Sequence, residues 1–390
     1  MKPLRSHAFR ANKSPLQGHE PSAVSGPIPF LNPTRAHFHL QQPHTDASVP
    51  QPVPRITRLW RSRDNRKGRH AIQVQKQAPV EERGRAPRKT SHPTAIYQGI
   101  LRMLTTFPAW DISFCVAFLF TLGSVIWVVN AFFVWLPVAA PSTEFAGEVV
   151  SGGGITAFIG ATVFEVGSIL LVLEAVNEDQ SGCFGWALLE AEKEAKAVIT
   201  HIKPDLGSCV HHHADHRRFL GAGQIREDAE PSRSFKWVPT LTELRTHYLH
   251  ELGFWASAVQ FIGATIFWIA GFTGLPGIIG TLSPAVENGV YWVPQIVGGS
   301  CFILSGLLFT LETQTRWCRP AFHVLGWHIG FWNTVGGIGF TLCGCLGPAA
   351  GNSGVEYQST LATFWGSWAF LLGSVVQWYE SLEKHPVEEK

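Results

Sequence analysis

Six continuous apolar stretches, at about 112–136, 154–176, 252–274, 290–312, 323–346 and 360–381, dominate the chain beyond Asp111. Each is long enough to cross a hydrocarbon core, which takes about 20 residues of helix. In lipid every backbone amide must be satisfied within the protein, so only helices and closed barrels can span. A barrel strand alternates lipid-facing and lumen-facing residues, whereas these stretches are uninterrupted. The sequence therefore predicts an all-α membrane protein whose domain at 106–383 crosses the bilayer six times. Charged residues are only 15% of the chain, against about 25% in a typical soluble domain, which excludes an ordinary soluble globule.

Cations predict the orientation. Of 31 Lys and Arg, 18 precede the first stretch and 9 lie in the long connection 177–251, and Arg316, Arg319, Lys384 and Lys390 are the remainder. The connections at 137–153, 275–289 and 347–359 hold none. Lys and Arg keep their segments on the cytoplasmic side during insertion. Both termini are thus expected in the cytoplasm, with 384–390 as a short tail, in either the plasma membrane or an endomembrane.

Residues 1–105 are rich in Pro, Arg, His, Gln and Ser and carry no sustained apolar period. Such a composition buries too little apolar surface to offset its ordering entropy. The reading is a disordered basic arm, drawn to anionic lipids of the inner leaflet rather than to nucleic acid. Phe30-Leu31 and Ala71-Ile72 are isolated apolar pairs, not the core of a signal peptide.

The even-numbered stretches align without gaps: GATVFEVGSILLVLE from Gly160 to Glu174, GGSCFILSGLLFTLE from Gly298 to Glu312, and GSWAFLLGSVVQWYE from Gly366 to Glu380. Each has Gly first, Phe four later, two small residues at seven and eight, and Glu at fourteen. The odd stretches keep Phe120, Phe267 and Phe340 with their following small pairs but lack the Glu. Small residues seven apart share a helix face and allow close backbone approach. These patterns predict three two-helix hairpin repeats. They resemble the YrhK-like two-helix membrane domain, and residues 110–383 look like the uncharacterised multi-pass membrane proteins of filamentous fungi that carry such units in tandem. The resemblance implies an architecture and brings no activity or catalytic residue with it.

Glu165 lies eleven residues into the second stretch, near the bilayer midplane, where an ionised group is costly and usually faces a bundle interior. At about 1.5 Å per residue, Gln260 and Asn333 fall at similar depth, and His328 lies nearer the cytoplasm. One reading is a proton or cation site built from Glu165, Gln260, His328 and Asn333. The other is a protonated Glu165 that locks two helices by one hydrogen bond.

Glu174, Glu312 and Glu380 end helices where the macrodipole disfavours a carboxylate. Arg316 and Lys384 stand four residues beyond Glu312 and Glu380, within pairing reach. Glu174 has no such neighbour and would use Arg102 or His250. The alternative is that all three are solvated interfacial anchors.

In the connection 177–251, Phe184, Ala187, Leu188, Ala191, Ala195, Val198, Ile199 and Ile202 follow a helical period. Thr240 with Glu243 forms a capping box, from which a helix is expected to run unbroken into the third stretch. Cys209, His211, His212, His213 and His216 offer ligands for zinc or copper at a spacing that matches no fixed zinc signature. Seven cysteines suggest no disulfide framework, four being in apolar stretches and three facing a reducing compartment.

No nucleotide loop, zinc-protease helix or nucleophile elbow is present, so neither enzyme activity nor a cofactor is expected. A homo-oligomer is compatible with this composition. Two functions fit: a small-solute or proton-linked transporter or channel, and a non-transporting structural or sensory membrane protein that recruits cytoplasmic partners.

Overall fold

The computed structural model describes residues 21–39, 56–74, 89–195 and 235–389. Six helices are long and apolar enough to cross a membrane: Ile112–Ala139 (α3), Glu148–Val176 (α4), Leu252–Thr273 (α7), Pro284–Glu312 (α8), Leu325–Ala349 (α9) and Ser353–Ser381 (α10). They match the expected stretches, except that the second, fourth and sixth start nearly two turns further out; Asn352 caps the sixth by accepting from Gly354 N at 2.9 Å. Asp111 starts the first span in the same way, accepting from Ser113 N at 2.9 Å.

The six spans form a closed ring in chain order. Each packs on the next, and the sixth returns to the first. Packing between the expected hairpins is as extensive as packing within them, so the ring does not single out a hairpin as its unit. Phe120, Phe164, Phe267, Phe302, Phe340 and Phe370 are buried in one core, one from each span. Edge-on contacts at 5.5 Å between Phe120 and Phe164 and at 5.7 Å between Phe164 and Phe370 are favourable aromatic geometries. Small residues let the helices close on this core. A Cβ on Gly298 would stand 2.8 Å from the carbonyl oxygen of Gly263 on the third span, so those two backbones touch. Ser305 Oγ donates to Ala256 O at 2.8 Å across the same pair.

The arm differs from expectation. Its described residues carry β1 (Pro21–Ser25), β2 (Arg35–His39), β3 (Ile56–Arg61), a short helix α1 (Ser62–Arg66) and β4 (Ala71–Val74). With β5 (Val387–Glu389) from the chain's other end, they form one sheet in the order β1-β2-β3-β4-β5, antiparallel except for the parallel β4–β5 pair. Disorder was inferred from weak local pattern, but these strands are held by partners more than 300 residues away. Ile72 N donates to Pro386 O at 3.0 Å, and Arg61 binds Glu388 at 2.6 and 2.7 Å. Arm residues 1–20, 40–55 and 75–88 lie outside the described ones.

Helix α2 (Pro93–Thr105) precedes the first span. It buries only Gly99, against Tyr379, and exposes Ile96, Tyr97, Ile100, Leu101 and Leu104. That apolar outer face suits the headgroup boundary of a bilayer.

The long connection departs from expectation in two places. Helix α5 runs Phe184–Ala195, and Phe184 and Ala187 join the bundle core; Val198, Ile199 and Ile202 of the expected period lie outside the described residues. The capping box at Thr240 and Glu243 is formed, but its helix α6 (Leu241–Thr246) stops short of the third span. His247 leaves helical geometry because Tyr248 turns inward, is 2% exposed, and donates to Val176 O at 2.8 Å. Cys183 is disulfide-bonded, unlike the expectation of free thiols throughout; this sulfur is 2% exposed and sealed in the core beside Phe184. Cys209 and the histidines at 211, 212, 213 and 216 lie outside the described residues.

Truncating a phenylalanine at the axis opens a cavity that neighbouring rings cannot fill. Phe370→Ala is expected to lower stability by about 3–5 kcal/mol, read as a lower denaturation midpoint in detergent. An unchanged midpoint would contradict a ring closed on aromatic side chains.

Candidate functional site

Three even-numbered spans end on the face that carries the chain termini, and each ends in a carboxylate. Glu174, Glu312 and Glu380 are 0%, 2% and 2% exposed, which corrects the expectation of solvated anchors. Ionised carboxylates buried this deeply need counter-charges. The arm supplies them. Between β3 and β4, the segment Ser62–His70 folds over the end of the bundle as a basic strap.

Arg66 holds Glu312 through two parallel hydrogen bonds, Nη1 to Oε1 at 2.8 Å and Nη2 to Oε2 at 3.0 Å. Ser62 Oγ donates to the same carboxylate at 2.9 Å. Arg63 Nη2 donates to Glu380 Oε2 at 2.7 Å, and Arg69 Nη1 lies 2.9 Å from Glu380 Oε1. Glu174 faces Arg66 Nε at 3.4 Å, an ion pair without a hydrogen bond. Such forked pairs are the strongest geometry open to a guanidinium. Arg66 also sits 5.5 Å over the ring of Phe309. Asp64 completes the set by accepting from Arg69 Nη1 at 2.6 Å. Four cations, Arg63, Arg66, Lys67 and Arg69, thus meet four carboxylates.

Glycine makes room for the guanidinium groups. A Cβ on Gly253 would stand 1.6 Å from Arg66 Nη1, and one on Gly326 would stand 2.5 Å from Arg63 Nε. The strap turns back at Gly68, whose φ of +60° favours glycine and whose missing Cβ leaves space for Ser181 Oγ. Burial by itself would lower the affinity of Arg66 for its proton, but the charges of Glu312 and Glu174 outweigh it and raise the pKa. Arg63 is raised in the same sense by Glu380. Lys67 goes the other way. Burial lowers it to about 8, and its Nζ makes no hydrogen bond, with Glu380 Oε2 3.7 Å away. Beside the strap, burial raises Asp179 to about 7 and, with the charge of Arg58, lowers His70 to about 3.

Neither i+4 partner is used, nor is Arg102. Lys384 pairs with Asp111, Arg102 binds Glu383 at 2.6 Å, and Arg316 is exposed without an ion pair among the described residues. Local spacing missed the strap because its residues lie more than 100 positions from the nearest of these carboxylates. The signal was present as a run of cations, Arg63 to Arg69, between two β-rich segments.

A cavity of ≈ 30 Å³ lies between the strap and the phenylalanine core. Its polar lining includes Lys67, Glu174, Gln260, Asn333, Gln377 and Ser374. Gln260 and Asn333 therefore share one internal site, as their common depth foretold. Glu165 and His328 are not part of it. Glu165 follows Phe164, which points at the axis, so its side chain turns about 100° away. There Oε1 accepts from Thr265 Oγ1 at 2.9 Å, and Thr265 is its partner on the neighbouring span. His328 Nε2 donates to Phe322 O at 2.7 Å near the helix start.

No family model matches this chain, and neither a curated protein nor a solved structure matches it.

Removing one member of a buried forked pair strands its partner, at a cost of about 3–5 kcal/mol. Glu380→Gln is expected to destabilise the protein by that order, and adding Arg63→Met, whose ion pair among the described residues is with Glu380 alone, to recover much of the loss. A double variant as unstable as the two losses combined would show that the residues do not act as a pair. Lys67 generates a pH test. Its folded pKa lies below the ordinary lysine value, so stability is lost as pH falls from 10.5 to about 8, and the full loss is present below that. Lys67→Met is expected to raise the denaturation midpoint below pH 8, by an amount that shrinks steadily toward pH 10. A pH-independent difference would contradict a buried, hard-to-charge amine.

Proposed function

We propose that the chain is a non-transporting integral membrane protein, a six-helix anchor that presents a folded platform to partners at its basic end. The observation that carries this reading is the strap folded over the mouth, where Arg66 and Arg63 are tied to Glu312 and Glu380. The cavity lies between that strap and the aromatic core. A volume of ≈ 30 Å³ suits about two water molecules. The transport reading rested on Glu165 meeting a polar path, and this residue instead bonds one threonine away from the cavity. That arrangement supports the helix-lock reading.

The platform consists of the five-stranded sheet, the strap and α5. The positive-inside rule favours a cytoplasmic position for it. Arg61, Arg63, Arg66, Lys67, Arg69 and Arg102 are engaged by carboxylates of the chain itself. Fewer arm cations than the sequence count suggests are thus left for anionic lipid, which favours a protein partner over a bilayer surface as what the platform meets.

Reconstitution in liposomes loaded with a pH-sensitive dye tests the reading. Wild type, Glu165→Gln and the Arg63→Ala/Arg66→Ala variant are all expected to leak protons no faster than protein-free liposomes. Flux in wild type that Glu165→Gln abolishes would overturn it, as would a strap variant that opens a selective leak.

A further inference from the structure

We infer that Glu178, His247 and Glu251 form a binding site for a divalent first-row cation, zinc or manganese, with Asn32 as a fourth donor. The three side chains come from two separate parts of the chain. Glu178 lies just past the end of the second span, His247 at the break after α6, and Glu251 at the residue that caps the third span. They offer one imidazole nitrogen and two carboxylate oxygens, all within 4.8 Å of one another. Glu178 Oε1 stands 3.3 Å from His247 Nε2. Two ligands at about 2.1 Å from a tetrahedral metal lie about 3.4 Å apart, so this edge is already at coordination spacing.

Asn32 supplies the independent observation. It comes from the β1–β2 loop, is 4% exposed, and donates from Nδ2 to Glu251 Oε1 at 2.5 Å. Its Oδ1 is buried with no hydrogen-bond partner. A buried carbonyl oxygen without a donor is costly, and this one is the far atom of an amide whose Nδ2 is the atom aimed at the cluster. With Glu251 drawn onto an ion and away from its present 2.5 Å contact, a half-turn of that amide would turn the oxygen toward the three donors. The backbone is fixed for this, because Asn32 N donates to His250 O at 2.8 Å.

Two carboxylates match a charge of +2, and the imidazole selects a borderline first-row ion over magnesium or calcium. Glu178 and His247 keep 23% and 17% side-chain exposure, which leaves an entry path. A bound ion would join the arm, the end of the second span and the start of the third. This inference stands apart from the transport question, since metal content and proton flux are measured separately.

The test uses full-length protein in detergent, with His211, His212, His213 and His216 replaced by Ala to remove competing imidazoles. Manganese is titrated by electron paramagnetic resonance, and zinc is counted by elemental analysis after dialysis. One equivalent of either ion is expected. His247→Ala and Glu251→Gln should each weaken binding by about 10-fold or more. Glu251→Gln keeps an acceptor for Asn32 and so separates loss of a ligand from loss of the fold. Asn32→Asp adds a third carboxylate, and its denaturation midpoint should rise more than that of the parent when zinc or manganese is added. No saturable binding in the histidine-depleted protein, or an affinity that His247→Ala and Glu251→Gln leave unchanged, would overturn the site.

Discussion

Buried charge at one end of an apolar bundle is the constraint from which the rest of this structure follows. Three helices deliver Glu174, Glu312 and Glu380 into a region with almost no solvent, where an unpaired carboxylate is not tolerated. Their partners must enter from outside the bundle, because the spans themselves contribute no cation there. The strap is therefore obliged to sit where it does. With its position set, β3 and β4 are brought side by side at the basic end, and the edge of β4 is placed to receive the strand that follows the sixth span.

Such ion pairs do not have to add much net stability. Desolvation offsets most of the attraction inside a protein, and apolar side chains of similar size often hold helices as well. What charge adds is specificity. Arg66 fits Glu312 with both hydrogen bonds only in one register, and Gly253 and Gly326 leave space for the guanidinium groups at those positions alone. A greasy strap would slide over the same surface. The forked pairs thus account for how a short arm, weak in apolar content, holds one position on a large helical domain.

Legibility in the sequence followed the range of the interactions. Each span is stabilised by its own hydrogen bonds and by lipid contact, both of which are local, so hydropathy located all six. The capping box at Thr240 and Glu243 was visible for the same reason. The carboxylates were noticed because they recur, but i+4 reasoning assigned Arg316 and Lys384 to them, and neither is the partner. The strap pairs over more than 100 residues, and the sheet joins strands from opposite ends of the chain. Neither leaves a periodic trace. Depth along a helix was readable for Gln260 and Asn333, whereas facing was not read for Glu165. Had Phe164 been taken as an axial residue, its successor could not have pointed inward as well.

The same geometry bears on what this end of the molecule is suited to do. A cation moving along the axis would meet Arg63, Arg66 and Lys67 before it met Glu174. An anion that passed them would face Glu174 and then the ring of phenylalanines. Clearing either route requires Arg63 to leave Glu380 and Arg66 to leave Glu312 together, each separation costing about 3–5 kcal/mol while the partner stays buried. Thermal fluctuation rarely supplies that sum, and no apolar surface is exposed to compensate. On the reading proposed above, a strap held at such cost serves to keep the arm strands and the strand after the sixth span in a fixed arrangement.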